Sequence, residues 1–207
     1  MKKKRSISSR RWLYEHFTDR FVKDAQLNNL RSRAWFKLRD IDLKYNLLKD
    51  KMHIIDLGSF PGSWSQYALH KIGKYGYIIA CDINLMSDIP GVFFIQGDIS
   101  IQETRMHILQ LLKKKVDVVM SDISPNLTGI STIDIPRSIF LANLVFEIAY
   151  MTLSNKGILL VKIFQGLGVK NFFNKLQLYF NIVKVCKPVA SRNRSREIFI
   201  LAIGFKK

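Results

Sequence analysis

The sequence predicts an α/β fold built on a mainly parallel sheet with helices covering both faces. Short continuous apolar runs recur along the chain, and helical stretches separate most of them, the pattern of parallel strands joined by crossover helices. Size agrees: 207 residues, 48% hydrophobic and 12% aromatic, suffice for one well-cored domain and are few for two. One domain over residues 1–207 is expected, with 1–50 as a basic helical extension and 51–207 as the sheet and its helices.

The first stretch, through residue 50, is polar, arginine-rich and helical in pattern, and reads as an appendage to the sheet. The runs that follow are HIIDLG (53–58), YIIACD (77–82), VFFIQGD (92–98), VDVVMSD (116–122), GILLVKIF (157–164), NIVKVCK (181–187) and EIFILAIGF (197–205), which predict seven strands. Helices are expected at 62–72, 101–115, 137–153 and 168–179. The last two runs are joined by PVASRNRSR, which has no room for a crossover helix, so they should form an antiparallel pair at one edge. No internal repeat is visible.

Lysine and arginine total 33 against 16 acidic residues, a net charge of +17 that favours a polyanionic partner, most commonly nucleic acid. A membrane surface is the rival, but neither a basic amphipathic helix nor a lipidation signal is present. The basic start, MKKKRSISSRRWLYEH, is not followed by the apolar stretch of a secretory signal, and 138–153 is too short and polar to span a bilayer. A cytoplasmic protein is expected. Cys81 and Cys186 offer neither a disulfide framework nor metal-ligand spacing, and His16, His53, His70 and His107 are scattered, so no metal is expected.

Four runs carry an acid at or near their end: Asp56, Asp82, Asp98 and Asp122. Ligands of open α/β sheets bind outside the carboxyl ends of the strands, so these acids should converge on one crevice. After the first of them, DLGSFPGSWSQYAL leads through Gly58 and Gly62 into a helix. It is neither Gly-x-Gly-x-x-Gly nor a phosphate loop, which argues against dinucleotide and triphosphate ligands. An acid at the next strand end, Asp82, suits the ribose hydroxyls of a nucleoside, and S-adenosylmethionine is such a ligand. Lys162 is the anomaly, an ammonium inside an apolar strand run. It either snorkels out from an edge strand or faces a site that uses it, because burying it unpaired is costly.

RSRAWFKL (31–38), DLGSFPGSWSQ (56–66), IIACD (78–82), QGD (96–98), VVMSDISPN (118–126), VKIFQG (161–166) and SRNRSRE (191–197) together resemble the FtsJ (RrmJ) ribose 2′-O-methyltransferases, and the likeness extends to RWLYEHFTDRFVKDAQ (11–26). The resemblance implies a Rossmann-like methyltransferase fold with a mostly parallel seven-stranded sheet, an antiparallel edge strand and helices on both faces. It implies S-adenosylmethionine as methyl donor, contacted by Gly62, Trp64, Asp82, Asp98 and Asp122, with Gly58 in the same loop. It further implies a catalytic tetrad of Lys37, Asp122, Lys162 and Glu197. The N-terminal agreement points to the bacterial enzymes that modify 23S rRNA in the large ribosomal subunit, with a uridine of the A loop as target. The chain departs from the family's Gly-Ala-Ala-Pro-Gly-Gly loop at Ser59, Phe60 and Ser63.

On this reading Lys162 is a general base toward a ribose hydroxyl, or a charged group that steers it. Burial and Lys37 would lower its pKa, Asp122 and Glu197 would raise it, and sequence does not give the sign of the sum. Arg10 and Arg11, Arg31 and Arg33, and Arg192, Arg194 and Arg196 form basic clusters expected to hold RNA phosphates. Arg31, Arg33 and Arg39 are expected on one N-terminal helix. Trp12, Trp35 and Phe36 are either stacking platforms or, more commonly, core. A monomer is expected. Two other readings remain: a tRNA or cap 2′-O-methyltransferase, and a non-catalytic RNA-binding assembly factor on the same fold.

Overall fold

The computed structural model describes residues 18–192 and 194–206, so Arg10, Arg11 and Trp12 lie outside the described residues. Two helices come first, α1 (Arg20–Leu27) and α2 (Ala34–Tyr45). Then follow β1 (His53–Leu57), α3 (Ser63–Ile72), β2 (Tyr77–Asp82), β3 (Val92–Gln96), α4 (Gln102–Gln110) and β4 (Val116–Ser121). The chain ends with α5 (Ser131–Thr152), β5 (Leu153–Phe164), α6 (Val169–Tyr179), β6 (Phe180–Cys186) and β7 (Glu197–Phe205).

The strands form one sheet in the order β3-β2-β1-β4-β5-β7-β6. The pairs from β3 through β5 are parallel. The antiparallel pair expected at one edge is β7 and β6, with β7 inserted between β5 and β6 and antiparallel to both. The order reverses between β1 and β4, which opens a crevice at their carboxyl ends.

The period of two along each strand sorts side chains to two cores. Ile55, Leu57, Val119, Leu159, Val161, Ile163, Ile198 and Ile200 face α5 and α6. Ile54, Val118, Met120, Leu160, Phe199 and Leu201 face α2 and α3, where they meet Leu38, Ile41, Trp64 and Tyr67. Continuing the second set toward the switch point reaches Asp56, Asp122, Lys162 and Glu197. The alternation that builds the core therefore delivers these polar groups to the face covered by α2.

Some boundaries differ from expectation. α5 starts at Ser131 and not at 137, with Pro136 inside it. The proline removes one donor, but Asp134 anchors the first turn by accepting from Thr128 N, Thr128 Oγ1 and Gly129 N at 2.9–3.0 Å. α4 ends at Gln110, and β5 runs back to Leu153 across a register shift opposite β4. Arg31 precedes α2 and Arg33 caps it, so of the three arginines expected on one helix only Arg39 lies within it. Trp35 and Phe36 pack edge-on at 5.2 Å, Trp35 also against Tyr67 at 5.0 Å, and Phe36 is buried. No helix among the described residues is long and apolar enough to cross a membrane.

Candidate active site

Lys162 stays inside. It is 8% exposed, and its Nζ lies 2.9 Å from Asp122 Oδ1 while donating to the Asp122 carbonyl at 2.6 Å. From α2, Lys37 Nζ reaches Glu197 Oε1 at 2.8 Å and Oε2 at 2.9 Å, and stands 3.6 Å from Asp122 Oδ2. The four side chains expected as a tetrad thus form one chain of contacts, Lys162–Asp122–Lys37–Glu197. Two cations and two anions neutralise each other in a site nearly closed to water, which is how buried charge is tolerated.

The environment sets their protonation. Burial would lower the Lys37 pKa, but Asp122 and Glu197 override it and hold the ammonium above its usual range. Burial would raise Asp122, but Lys162 and Lys37 override that too, keeping the carboxylate below the usual carboxylate range. Lys37 is therefore a fixed cation.

Beside the tetrad, and sharing Asp122 with it, lies a cavity of about 370 Å³, within the size range of small-ligand sites. Gly58, Asp82, Asp98 and Asp122 line it, so four of the six residues expected at a cofactor meet there. Asp82 orders the mouth: Oδ2 accepts from Phe60 N at 3.0 Å and Oδ1 from Asn84 N at 2.8 Å. Asp98 Oδ1 accepts from Ser100 N at 2.8 Å. Gly58, at φ +74°, is required by close packing, since a Cβ there would overlap Ile123. Phe60, the departure from the family loop, is 50% exposed and forms part of the wall.

The other two expected contacts sit differently. Trp64 is buried in the core, its Nε1 donating to the Ala34 carbonyl at 3.0 Å and its ring 5.6 Å from Phe199, so only its main chain can meet a ligand in the loop. Gly62, at φ +104°, leaves room for Arg31, whose side chain a Cβ would strike. Arg31 itself, expected to hold phosphate, donates to the carbonyls of Pro61, Ser87 and Asp88 at 2.7–2.9 Å and brackets the loops after β1 and β2. Arg33 pairs with Asp19 at 2.6 Å and donates to the Ala190 carbonyl. Arg192 Nε stands 3.7 Å from Asp19 Oδ2, Arg194 is exposed, and the exposed Arg196 donates to Ser131 Oγ.

Sequence reasoning overlooked the apolar walls of the cavity, Ile83, Ile99 and Ile123. A signal was available: each directly follows an acid at a strand end, in the repeated dipeptides Asp82-Ile83, Asp98-Ile99 and Asp122-Ile123. It also overlooked Ser191, whose buried hydroxyl donates to Glu197 Oε1 at 2.9 Å; Ser63, noted only as a departure from the family loop, bonds the Ser32 hydroxyl at 2.6 Å.

The FtsJ-like methyltransferase family matches residues 30–205, a span that holds the whole cavity and tetrad. The chain is an FtsJ-like methyltransferase. It is 52% identical over 201 residues to the ribosomal RNA large subunit methyltransferase E of Buchnera aphidicola, covering 97% of this chain and 98% of that protein. Among solved structures, a protein of Plasmodium falciparum named a ribosomal RNA methyltransferase superposes with a TM-score of 0.77 at 32% identity, over 84% of this chain and 98% of that one. A protein of Clostridium thermocellum named an rRNA-methylase has a TM-score of 0.57 at 17% identity, over 82% and 97% of the two chains, a likeness of fold alone. For such a methyltransferase S-adenosylmethionine is the general donor.

The cavity passes a test for that donor on its own chemistry. Its rim carries the Asp82 and Asp98 carboxylates for hydroxyl and amino groups, and isoleucines wall it for a flat apolar ring. Ser59 Oγ and Asp56 Oδ1, in the strand and loop leading to it, are buried without hydrogen-bond partners among the described residues. An acidic wall also suits a ligand bearing a cationic sulfonium.

Proposed function

We propose that this methyltransferase transfers the methyl group of S-adenosylmethionine to a ribose 2′-hydroxyl of 23S rRNA in the large ribosomal subunit, at a uridine of the A loop. The contact chain Lys162–Asp122–Lys37–Glu197 at the mouth of the cofactor-sized cavity carries the reading. Its support for the substrate is the 52% identity to a protein named for the large ribosomal subunit.

S-adenosylmethionine supplies a methyl group on a sulfonium that a weak oxygen nucleophile can take. Asp82 and Asp98 would hold its ribose and base end, with Gly58 allowing close approach of the backbone. On the protein side the tasks are alignment of the attacking oxygen and removal of its proton. Lys162, after releasing one proton to water, would receive the 2′-hydroxyl at Nζ and take its proton as the methyl group is transferred, and Asp122 balances the ammonium so re-formed with both its carboxylate and its carbonyl. Lys37, kept cationic, holds Glu197 and the far oxygen of Asp122, so neither carboxylate competes for the proton. The basic residues Arg10, Arg11, Arg192, Arg194 and Arg196 would guide the RNA strand by phosphate contacts, and the protein would work as a cytoplasmic monomer.

The test is methyl transfer from labelled S-adenosylmethionine to undermethylated large subunits, with tRNA in parallel and Lys162→Ala as control. Label at one ribose of the large-subunit RNA, mapped by resistance to alkaline cleavage and lost in the variant, is the expected result. Label on tRNA alone overturns the substrate; no transfer by folded protein to either RNA overturns the enzymatic reading.

A further inference from the structure

Glu197 receives hydrogen bonds from two sides, and both sides trace back to one face of α2. Lys37 Nζ meets both carboxylate oxygens directly. Ser191 Oγ, in the loop between β6 and β7, donates to Oε1 at 2.9 Å. The residue before it, Ala190, is fully buried and clasped at both backbone groups: its N–H donates to Asp40 Oδ2 at 3.1 Å, and its carbonyl accepts from Arg33. Arg33, Lys37 and Asp40 are spaced i−4, i and i+3, so they lie on one face of the helix. One helix face therefore places the ammonium that Glu197 pairs with and the loop whose hydroxyl orients the same carboxylate.

We infer that Ser191 is a positioning residue for methyl transfer, acting through Glu197, and that the Asp40–Ala190–Arg33 clasp sets its position. The inference rests on the proposed catalytic role of the tetrad. Lys37 alone pairs with either oxygen of Glu197 equally well, as its 2.8 and 2.9 Å contacts show, and so fixes the carboxylate's location but not its plane. A second donor at Oε1 from a different direction fixes the plane, and with it the placement of Lys37 against Asp122. Ser191 suits this task because it is buried and short, with few rotamers to lose. The clasp supplies what a hydroxyl on a surface loop otherwise lacks, a rigid mount. Asp19 braces it from outside by holding Arg33 at 2.6 Å.

The experiment measures kcat and KM for undermethylated large subunits with Ser191→Ala, Asp40→Ala, the double variant and Glu197→Ala. Ser191→Ala should lower kcat about ten-fold while leaving KM for the RNA and the thermal midpoint near wild type, because it removes a hydrogen bond to a charged group and leaves the RNA surface intact. Asp40→Ala should lower kcat similarly although it touches no tetrad member. The double variant should be no worse than the poorer single, since both act through one hydrogen bond. Additive losses, or a Ser191→Ala defect that follows KM or the thermal midpoint, would assign Ser191 to loop folding and overturn the inference. Glu197→Ala separates the two levels: full activity there sinks the tetrad reading, whereas a large loss there beside an unimpaired Ser191→Ala sinks only this inference. Amide exchange at Ala190, sped by Asp40→Ala, reads the clasp with no methyl transfer at all; unchanged exchange refutes it.

Discussion

Lys162 touches Asp122 twice, at the carboxylate and at the main-chain carbonyl, and the second interaction ties its ammonium to the backbone at the end of β4. A carboxylate alone could swing with its side chain; the carbonyl cannot. Lys162→Met should therefore lower methyl transfer by at least about a hundred-fold, since Lys162 is the group proposed to orient and deprotonate the hydroxyl. It should also destabilise the protein, on the order of 3 kcal/mol, because Asp122 stays buried with only Lys37 at 3.6 Å to balance it. Retention of more than a tenth of wild-type kcat in a folded variant would remove Lys162 from the proton-transfer role.

The paired charges fix where pH should weaken the fold. Asp122 has a folded pKa below its unfolded one, so its contribution is complete above about pH 4 and disappears as pH falls through the folded value. Lys37 has a folded pKa above its unfolded one, so its contribution is complete below about pH 10 and is lost as pH rises through the folded value. A thermal-midpoint profile should therefore fall at both extremes, with Lys37→Met flattening the alkaline limb and Asp122→Asn the acid limb. If Lys37→Met left the alkaline limb unchanged, the ammonium would not be carrying it.

The strands, their mainly parallel run and the convergence of Asp82, Asp98 and Asp122 at the carboxyl ends were legible because each rests on local pattern: apolar runs, intervening helices and a terminal acid; Asp56, expected in the same crevice, is instead fully buried against Ser65. Lys162 and Asp122 stood out by position, but Lys37 and Glu197 were legible only through family likeness. Lys37 and Glu197 are 160 residues apart, and no periodicity links them; what joins them is the packing of α2 on the face that carries Phe199. Arg31 and Trp64 show the opposite failure. Both residue types suit a ligand site, yet backbone carbonyls and the packed core claim them first. Composition ranks an arginine as a phosphate contact; only three-dimensional neighbours show its donors already engaged.

Asp56 offers a prediction about a group that no step uses. It is fully buried in β1, takes one hydrogen bond from Ser65 Oγ at 2.7 Å, and has no partner at Oδ1 among the described residues. Burial, aided by Asp122 and Asp82 and opposed by Ser65, pushes its carboxyl up to about 7. An acid whose folded pKa is raised binds its proton more tightly in the native state, so stability falls as pH rises from about 4 toward 8, by roughly 4 kcal/mol at most. Asp56→Asn keeps an acceptor for Ser65 and removes the titration. Its thermal midpoint should exceed wild type by several degrees at pH 8, by less at pH 5, and approach it only near pH 4. Equal differences at pH 8 and pH 4 would show that Asp56 does not titrate in this range.

Arg31 and Arg194 should separate a structural arginine from an RNA-binding one. Removing a single phosphate interaction reduces the slope of log affinity against log salt by about 0.7 to 0.9. Arg194, exposed on the loop before β7, should lower that slope by nearly this amount when replaced by alanine, with little effect on binding of S-adenosylmethionine. Arg31 holds the carbonyls of Pro61, Ser87 and Asp88, so Arg31→Ala should leave the slope unchanged. It should instead weaken S-adenosylmethionine binding by about ten-fold, through loosening of the loop that carries Phe60 at the cavity wall. Filter binding over a salt series and calorimetric titration with the cofactor read the two effects separately. An Arg31 variant with a shallower salt slope and intact cofactor affinity would return that residue to the RNA surface and leave the bracket without a role in cofactor binding.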